Sequence, residues 1–297
     1  MTRTVVLIGG NGQLGQDLAR VWARRFPDDR LVSLTHAQIS VEDPALVDAV
    51  LPPLRPDLVI NTSAYHKVDL VEETPGPAFA VNATGPLNLA RACRRLDAEL
   101  VHFSTDYVFS GRLQRPHTEA DRVDPINVYG VSKAAGEMLV AFTHERHFLI
   151  RSCGLYGLAG SAGKGGNFVE TMLRKAEAGE AIRVVDDQVL TPTATPVLAE
   201  QVAEIVQHGE PGLYHATCQA ECSWYDFAAE IFRQSGLNPN FRPQSTAEAG
   251  SAATRPRYSV LENAHLKRLG IDVLPTWQEA LAVYLSARAE ARRAQTV

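Results

Sequence analysis

Residues 5–15 read Val-Val-Leu-Ile-Gly-Gly-Asn-Gly-Gln-Leu-Gly, and this stretch decides the fold. The apolar run at 5–8 is typical of a parallel strand that is covered on both faces. Three glycines at a spacing of three follow it: Gly9, Gly12 and Gly15. Residues 16–25 then continue as an amphipathic helix. Glycines allow a tight turn, and a helix N-terminus offers N–H groups to a diphosphate, so this order of elements predicts a dinucleotide-binding site.

Strand-like and helix-like segments alternate from this stretch to about residue 151. Alternation of this kind implies a parallel sheet with right-handed crossovers. Further strands are predicted at 31–34, 57–61, 100–103 and 147–151, and helices at 77–95, with a bend near Gly85, and after Asn127. Beyond residue 151 the alternation of predicted strands and helices is less regular. Helices are predicted there at 167–178, 197–207, 224–234 and 277–289, and strands at 182–185 and 212–216.

We therefore predict an α/β fold, a doubly wound parallel sheet (Rossmann-type) with a smaller mixed α/β substrate lobe. Residues 1–151 would form the dinucleotide-binding domain, completed by about 196–217. Residues 152–195 and 218–297 would form the substrate-binding lobe. The segment 154–166 is rich in Gly, Ala and Ser, which predicts a mobile loop. Its stretch 160–165 lacks the spacing of a phosphate-binding loop, so a flexible connection is the better interpretation.

The composition and net charge of the chain exclude some classes of protein. The chain has 297 residues, 45% of them hydrophobic, and a formal net charge of −5. This weakly acidic balance argues against a nucleic-acid or membrane surface. We expect no signal peptide and no membrane span. The four cysteines have no metal or redox spacing, which predicts buried thiols in a reducing, cytoplasmic compartment.

The candidate catalytic residues are Tyr129 and Lys133, together with the hydroxyls of Ser104 and Thr105. Tyr129 and Lys133 are four residues apart, so on a helix they share one face. An ammonium near a phenol favours the phenolate, and we expect Lys133 to lower the pKa of Tyr129. Such a tyrosine exchanges a proton with a carbonyl or an alcohol, and a hydroxyl from Ser104 or Thr105 would polarise the carbonyl oxygen. The spacing alone also fits a surface phenol and a solvated amine, but the glycine turn favours catalysis.

Two further features are left open by the residues themselves. Asp106 lies beside the candidate hydroxyls, and contact with a sugar and capping of a loop explain it about equally well. Thr35 and His36 follow the second predicted strand, where an acid would bind a ribose 2′-hydroxyl and an arginine a 2′-phosphate. Neither residue type is present, so the choice between NADH and NADPH stays open.

Several motifs spread along the chain resemble one family. They are Gly9-x-x-Gly12-x-x-Gly15, Ser-Thr-Asp-Tyr-Val-Phe at 104–109, Asn127-Val128-Tyr129-Gly130-x-x-Lys133, Asp187-Gln188 with Pro192-Thr193, and Arg255-Pro256-x-x-Ser259-x-Leu261. Together they resemble the extended short-chain dehydrogenase/reductases and, more closely, the dTDP-4-dehydrorhamnose reductase family. The glycine turn and the Tyr–Lys pair specify only the superfamily, while the remaining motifs carry the narrower resemblance.

The resemblance implies a reaction and its residues. Tyr129 would be the proton donor, Lys133 would bind the nicotinamide ribose, and Thr105 would orient the C4 keto oxygen of a nucleotide-linked 6-deoxysugar. Hydride would pass from NADPH or NADH to C4. The diphosphate would be held by Gly12, Gln13 and Leu14, and the inner half of the cofactor would be lined by Ala64, Tyr65 and His66. Asp106 is included with Thr105 as a candidate substrate contact.

Two departures from the family pattern concern the ligands. Ser40 replaces an acidic residue that the family often has near the adenine, and Gly154 stands where an aromatic residue packs on the sugar. Some relatives use magnesium, but no ligand set in this sequence requires it. The alternatives are an epimerase or reductase acting on another nucleotide sugar, and a non-catalytic NADP-binding regulatory subunit like the β subunit of methionine adenosyltransferase. The oligomeric state, a homodimer included, is left open.

Overall fold

The computed structural model describes residues 2–159 and 166–295. Its strands are β1 Thr4–Ile8, β2 Arg30–Leu34, β3 Leu58–Asn61, β4 Glu99–Thr105, β5 His147–Ser152, β6 Leu155–Tyr156, β7 Ile182–Val185, β8 Val189–Leu190, β9 Thr193–Ala194, β10 Gly212–His215, β11 Cys222–Ser223 and β12 Phe241–Gln244. Its α-helices are α1 Gln13–Arg25, α2 Pro44–Leu54, α3 Val68–Glu73, α4 Pro75–Phe79, α5 Gly85–Leu96, α6 Val128–Thr143, α7 Phe168–Glu177, α8 Thr195–His208, α9 Trp224–Gln234, α10 Thr246–Ala249, α11 Ala264–Leu269 and α12 Trp277–Gln295. A π-helical turn, Ala80–Thr84, joins α4 to α5, and a 3₁₀ turn, Asp106–Val108, follows β4.

The central sheet has six strands in the order β10-β5-β4-β3-β1-β2, and every neighbouring pair is parallel. The chain builds outward from β1 in both directions, so the strand order reverses between β1 and β3. Ligands of such sheets bind at the carboxyl ends of the strands beside this reversal. The glycine turn after β1 lies at that point.

The two faces of the sheet are covered by different helices, as the period-two alternation of a strand requires. Val5 and Leu7 of β1 belong to a core with α1 and α8, whereas Val6 and Ile8 belong to a core with α2, α5 and α6. All four side chains are buried. The uninterrupted apolar run in β1 is thus explained by burial on both faces.

A third core lies outside the sheet. It joins α7, β7, α9 and α12 through side chains such as Val169, Phe227, Ile231 and Leu281. The short strands around it pair in both senses, since β7–β12 and β6–β9 are parallel and β8–β11 is antiparallel. α12 is fixed to α7 because the Arg288 Nε lies 2.6 Å from a carboxylate oxygen of Glu170.

The predicted fold class is confirmed, including β10 as an added strand of the main sheet. The helix predicted at 77–95 begins earlier, at Pro75, and widens into the π-helical turn just before the predicted bend at Gly85. The division into two domains stays a prediction. The candidate flexible stretch 160–165 lies outside the described residues.

Candidate active site

A cavity of about 820 Å³ opens at the carboxyl ends of β1, β3 and β4. Its size is within the range of small-molecule sites, about 300–1,000 Å³. Every candidate site residue except Gly15 lines it: Gly9, Gly12, Gln13, Leu14, Ala64, Tyr65, His66, Thr105, Asp106, Tyr129 and Lys133. The structure therefore brings together residues that are up to 124 positions apart in the sequence, the separation of Gly9 and Lys133.

The glycine turn fits a diphosphate. Gly9 has φ +82°, and a Cβ there would lie 2.5 Å from the Thr62 Oγ1, so only glycine is compatible with this approach of β1 to β3. α1 begins directly after Gly12, and no side chain among the described residues caps it. Its first N–H groups are thus left to an anion in the cavity, where the helix dipole adds to the attraction.

Gly15 has a structural role in the glycine turn. It does not line the cavity, and a Cβ at this position would lie 2.3 Å from the Gly9 carbonyl oxygen and 2.8 Å from the Gly10 Cα. Its lack of a side chain lets α1 pack against the turn. That Gly15 also contacts the cofactor stays a prediction, and what the structure shows is its effect on the shape of the turn.

The loop after β3 is held by a residue that the sequence did not reveal. Asn82, in the π-helical turn, accepts a hydrogen bond from the Tyr65 N–H at 2.8 Å and donates one to the Tyr65 carbonyl at 2.9 Å. It also donates to the Ser132 hydroxyl on α6 at 3.0 Å. The only signal in the sequence near Asn82 is the predicted bend of the helix at Gly85. Asn82 joins the loop 62–66 to the helix that carries the Tyr–Lys pair.

α6 presents Tyr129 and Lys133 to the cavity from its first turns. The helix begins where the Asn127 side chain accepts a hydrogen bond from the Gly130 N–H at 2.7 Å. The Lys133 Nζ is buried and donates to the Phe103 carbonyl at 2.6 Å. Burial lowers the pKa of Lys133 to about 8, although the negative charge of Glu137 opposes the shift.

The pKa of Tyr129 changes in the direction opposite to the expected one. Burial raises it above its ordinary value, the negative charge of Asp106 raises it further, and a hydrogen bond with Thr105 lowers it. The ammonium of Lys133 is directed to the Phe103 carbonyl instead. The expectation that Lys133 lowers the pKa of Tyr129 is wrong for this structure, and the phenol stays protonated near neutral pH.

Asp106 is buried and already held by its neighbours. Its carboxylate accepts hydrogen bonds from the Thr105 hydroxyl at 3.0 Å and the Cys153 thiol at 3.0 Å, and from Ser259. Burial raises the pKa of Asp106, and these bonds oppose the shift. Cys153 was predicted to be an ordinary buried thiol, yet it lines the cavity. Asp106 orients Thr105, and its contact with a sugar stays a prediction.

Thr105 and Ser104 both line the cavity but differ in their contacts. The Thr105 hydroxyl accepts a hydrogen bond from the Tyr107 N–H at 3.2 Å and also contacts Tyr129. The Ser104 hydroxyl is buried without a hydrogen-bond partner among the described residues. Thr105 is therefore the better candidate to act on a carbonyl beside Tyr129.

The two ends of the cavity have different walls. One end is lined by Asn11, His36, Ile39, Val41 and Glu42, where the adenosine half of a dinucleotide would lie; Ser40 does not line it. No arginine lines the described part of the cavity, so the choice between NADH and NADPH stays open. The other end is lined by side chains from segments far apart in the chain, namely Phe168, Gln188, Leu190 and Trp224. The sequence did not predict a role for these side chains in the site.

The described residues contain neither a cluster of metal-ligating side chains nor a membrane-spanning helix. No group of three or more His, Cys, Asp or Glu side chains could hold a metal ion within ranges 2–159 and 166–295. No helix within those ranges is long and apolar enough to cross a membrane.

The reversed parallel sheet, the glycine turn and the Tyr129–Lys133 pair define an extended short-chain dehydrogenase/reductase, which is a class of nicotinamide-dependent oxidoreductases. Comparison with known proteins narrows this class. The family described as "RmlD substrate binding domain" matches residues 3–289, and the chain belongs to that family.

Relatives cover nearly the whole chain. The spore coat polysaccharide biosynthesis protein SpsK of Bacillus subtilis is 38% identical over 97% of this chain and 98% of its own length. A dTDP-4-keto-6-deoxy-D-glucose reductase of Streptomyces niveus is 35% identical over 95% and 96%. The fold also matches a crystal structure of dTDP-4-dehydrorhamnose reductase from Bacillus anthracis in complex with NADP, with a TM-score of 0.92. The match has 34% sequence identity and covers 97% of this chain and 100% of that one. These matches confirm the resemblance inferred from the motifs.

Proposed function

We propose that the protein uses NADPH or NADH to reduce the C4 keto group of a nucleotide-linked 6-deoxy-4-ketosugar. The favoured reaction converts dTDP-4-dehydro-L-rhamnose to dTDP-L-rhamnose. One observation carries the proposal: Thr105, Tyr129 and Lys133 meet in a single cavity that begins at an uncapped helix N-terminus. The names of the family's members support the choice of substrate.

The residues of the chain divide the reaction between them. A nicotinamide bound in the cavity would supply the hydride that reduces C4. Tyr129 gives its proton to the C4 oxygen, and its phenol, which lines the cavity, is protonated before the reaction. Thr105 would turn its hydroxyl from Asp106, which accepts its hydrogen bond in this structure, to the same oxygen, where negative charge develops as the carbonyl is reduced. Lys133, whose ammonium donates to the Phe103 carbonyl, would also reach the nicotinamide ribose, and Asp106 accepts the Thr105 hydrogen bond before the sugar binds.

The experiment is a panel of substrates. Purified protein is mixed with NADPH or NADH and with one of several nucleotide-linked 4-ketosugars, and the nicotinamide absorbance is followed. We expect oxidation with dTDP-4-dehydro-L-rhamnose. Oxidation with a different ketosugar alone would reassign the substrate. Interconversion of sugars without net loss of cofactor would favour an epimerase, and cofactor binding without any turnover would favour the regulatory subunit.

The place and assembly of the enzyme are part of the same proposal. Cys93, Cys153, Cys218 and Cys222 are free and buried, which suits a reducing cytoplasm. The outer face of α6 leaves three apolar side chains exposed at helical spacing: Val131 at 42%, Met138 at 60% and Phe142 at 91%. Apolar stripes of this kind mark interaction surfaces. A homodimer that pairs this face would cover it.

A further inference from the structure

Trp224 lines the cavity, yet the chemistry described above does not use it. It is the first residue of α9, and its Cη2 lies 3.7 Å from the point where a Cβ on Gly154 would stand. Gly154 directly follows Cys153, whose thiol is bonded to Asp106 beside Thr105. The indole ring therefore lies close to the place where the keto group must be held.

Residue 154 is a glycine and provides no side chain to the cavity wall beside the indole. Gly154 has φ +55°, a conformation that residues with a side chain rarely adopt. A Cβ there would lie 3.1 Å from the Leu190 Cδ1 and 3.2 Å from the Pro192 Cα. The aromatic surface at this end of the cavity thus comes from Trp224 of α9 and Phe168 of α7, and not from the segment that follows β5.

The surroundings of the indole are mainly apolar. The Phe168 ring lies with its centroid 4.6 Å from that of Trp224, tilted by 45°. Val189 and Leu190 line the same end of the cavity. A pyranose ring packs its C–H face on an aromatic ring, and a C5 methyl group suits an apolar wall. A hydroxymethyl group would lose its hydrogen bonds to water there, which costs binding free energy.

The indole is also held in place by its own helix end. Ser223 and Asp226 form a capping box, in which the Ser223 hydroxyl accepts from the Asp226 N–H at 3.0 Å and the Asp226 carboxylate accepts from the Ser223 N–H at 3.0 Å. Trp224 follows the cap directly, so its backbone is fixed. A surface that is fixed before the ligand arrives loses little entropy on binding.

We propose that Trp224, with Phe168 and Leu190, forms a sugar-binding wall that packs on the C–H face of the pyranose and receives its C5 methyl group. This wall selects 6-deoxy sugars over sugars with a 6-hydroxyl. The inference rests on the proposed function, because it places the same nucleotide sugar in the same cavity.

The test measures binding of two ligands that differ only at C6, namely dTDP-L-rhamnose and dTDP-L-mannose, to the NADPH complex. We expect the wild-type protein to prefer dTDP-L-rhamnose. Trp224→Ala should weaken binding of that ligand about tenfold to a hundredfold and remove most of the preference, while NADPH affinity stays the same. Trp224→Phe keeps an aromatic face and should retain the preference. Tyr225→Ala, which truncates the next aromatic on the same helix outside the cavity, is the matched control.

Two outcomes would overturn the sugar-binding wall. Trp224→Ala with unchanged affinity and preference would remove the indole from the site, and an equal loss in Tyr225→Ala would assign the effect to the packing of α9. Failure of the proposed function looks different. In that case the wild-type protein oxidises no nicotinamide with any ketosugar, yet binds dTDP-L-rhamnose with a preference that depends on Trp224.

Discussion

Tyr129 shows how the surroundings of one side chain set its protonation state. Burial and the nearby Asp106 raise the pKa of Tyr129, and the hydrogen bond with Thr105 opposes this shift. The phenol therefore carries the proton that reduction of a carbonyl requires, although the raised pKa makes it a weaker acid than a free tyrosine.

Replacing Tyr129 by Phe removes the proposed proton donor with little change of shape. We expect turnover to fall by about 10²–10⁴-fold, the usual contribution of a positioned acid, while NADPH affinity stays the same. Steady-state kinetics and a cofactor titration measure the two quantities. Tyr107→Phe is the matched control, because its ring packs edge-on at 5.9 Å from that of Tyr129. Unchanged turnover in Tyr129→Phe would remove this residue from the mechanism.

Lys133 provides a test by pH. Its pKa is lowered from 10.5 to about 8, so between these values the folded protein has released a proton that the unfolded chain still binds. The contribution of Lys133 to the free energy of unfolding must then increase as the pH rises through this window. The same contribution is lost again as the pH falls through 8. Relative to Lys133→Met, we expect the free energy of unfolding to increase by about 3 kcal/mol from pH 7.5 to 10.5.

Urea titrations of the cofactor-free protein at several pH values measure this difference. Lys67→Met, at an exposed lysine outside the cavity, should show no comparable dependence on pH relative to the wild-type protein. A constant difference between wild-type protein and Lys133→Met across the window would contradict the burial of a titrating ammonium.

At the scale of elements, the site depends on how α1 and α6 meet the sheet. α6 is fixed by the Lys133 bond to the Phe103 carbonyl and by a buried ion pair, in which an Arg151 nitrogen lies 2.6 Å from a Glu137 oxygen. Asn82 adds the loop after β3 to this assembly. The candidate catalytic side chains on α6 are thus oriented by contacts between elements.

The packing of α1 on the glycine turn can be tested by one methyl group. Gly15→Ala places a Cβ 2.3 Å from the Gly9 carbonyl oxygen, so the backbone of the turn must move. We expect a loss of about 1–3 kcal/mol in the free energy of unfolding, together with weaker cofactor binding. Chemical unfolding and a cofactor titration check both effects.

Gly76→Ala is the control for this substitution. It also lies in a helix, α4, but nothing stands within 4 Å of the added Cβ. It should be neutral or stabilise the protein by up to about 1 kcal/mol. Equal effects of the two substitutions would show that close packing at Gly15 is not what requires glycine there.

The sequence predicted some elements and site residues better than others, for physical reasons. β7 and α9 have the predicted bounds, because their apolar patterns are continuous and their ends are marked. Tyr129 and Lys133 were predicted as a pair because four residues make one helical turn. Asn82, Ser259 and Trp224 received no role, since their contacts join segments far apart in the chain.

At the scale of the whole molecule, the reversal of strand order places the cavity, and the third core supplies its far wall. The sheet needs only the alternation of strands and helices, which the sequence displays. The far wall needs Phe168 and Trp224 to meet across a fold whose short strands pair in both senses. No local pattern specifies such a meeting, so this part of the site emerged only from the structure.

The proposed homodimer belongs to this scale as well. Phe142→Glu puts a charge on the most exposed side chain of the apolar face of α6, and we expect it to convert a dimer to a monomer in light scattering coupled to size-exclusion chromatography. Val283→Glu, at a side chain of α12 that is 57% exposed, should leave the dimer intact. A monomeric wild-type protein at micromolar concentrations would refute the proposal.

The central claim is that a keto carbon in this cavity receives hydride while Tyr129 protonates its oxygen. The most direct measurement uses NADPH in which both hydrogens at C4 of the nicotinamide are replaced by deuterium, together with dTDP-4-dehydro-L-rhamnose and NMR of the product. We predict one deuterium at C4 of the sugar with the wild-type protein, and almost no product with Tyr129→Phe. Deuterium elsewhere in the sugar, or oxidised cofactor with an unlabelled sugar, would contradict the account.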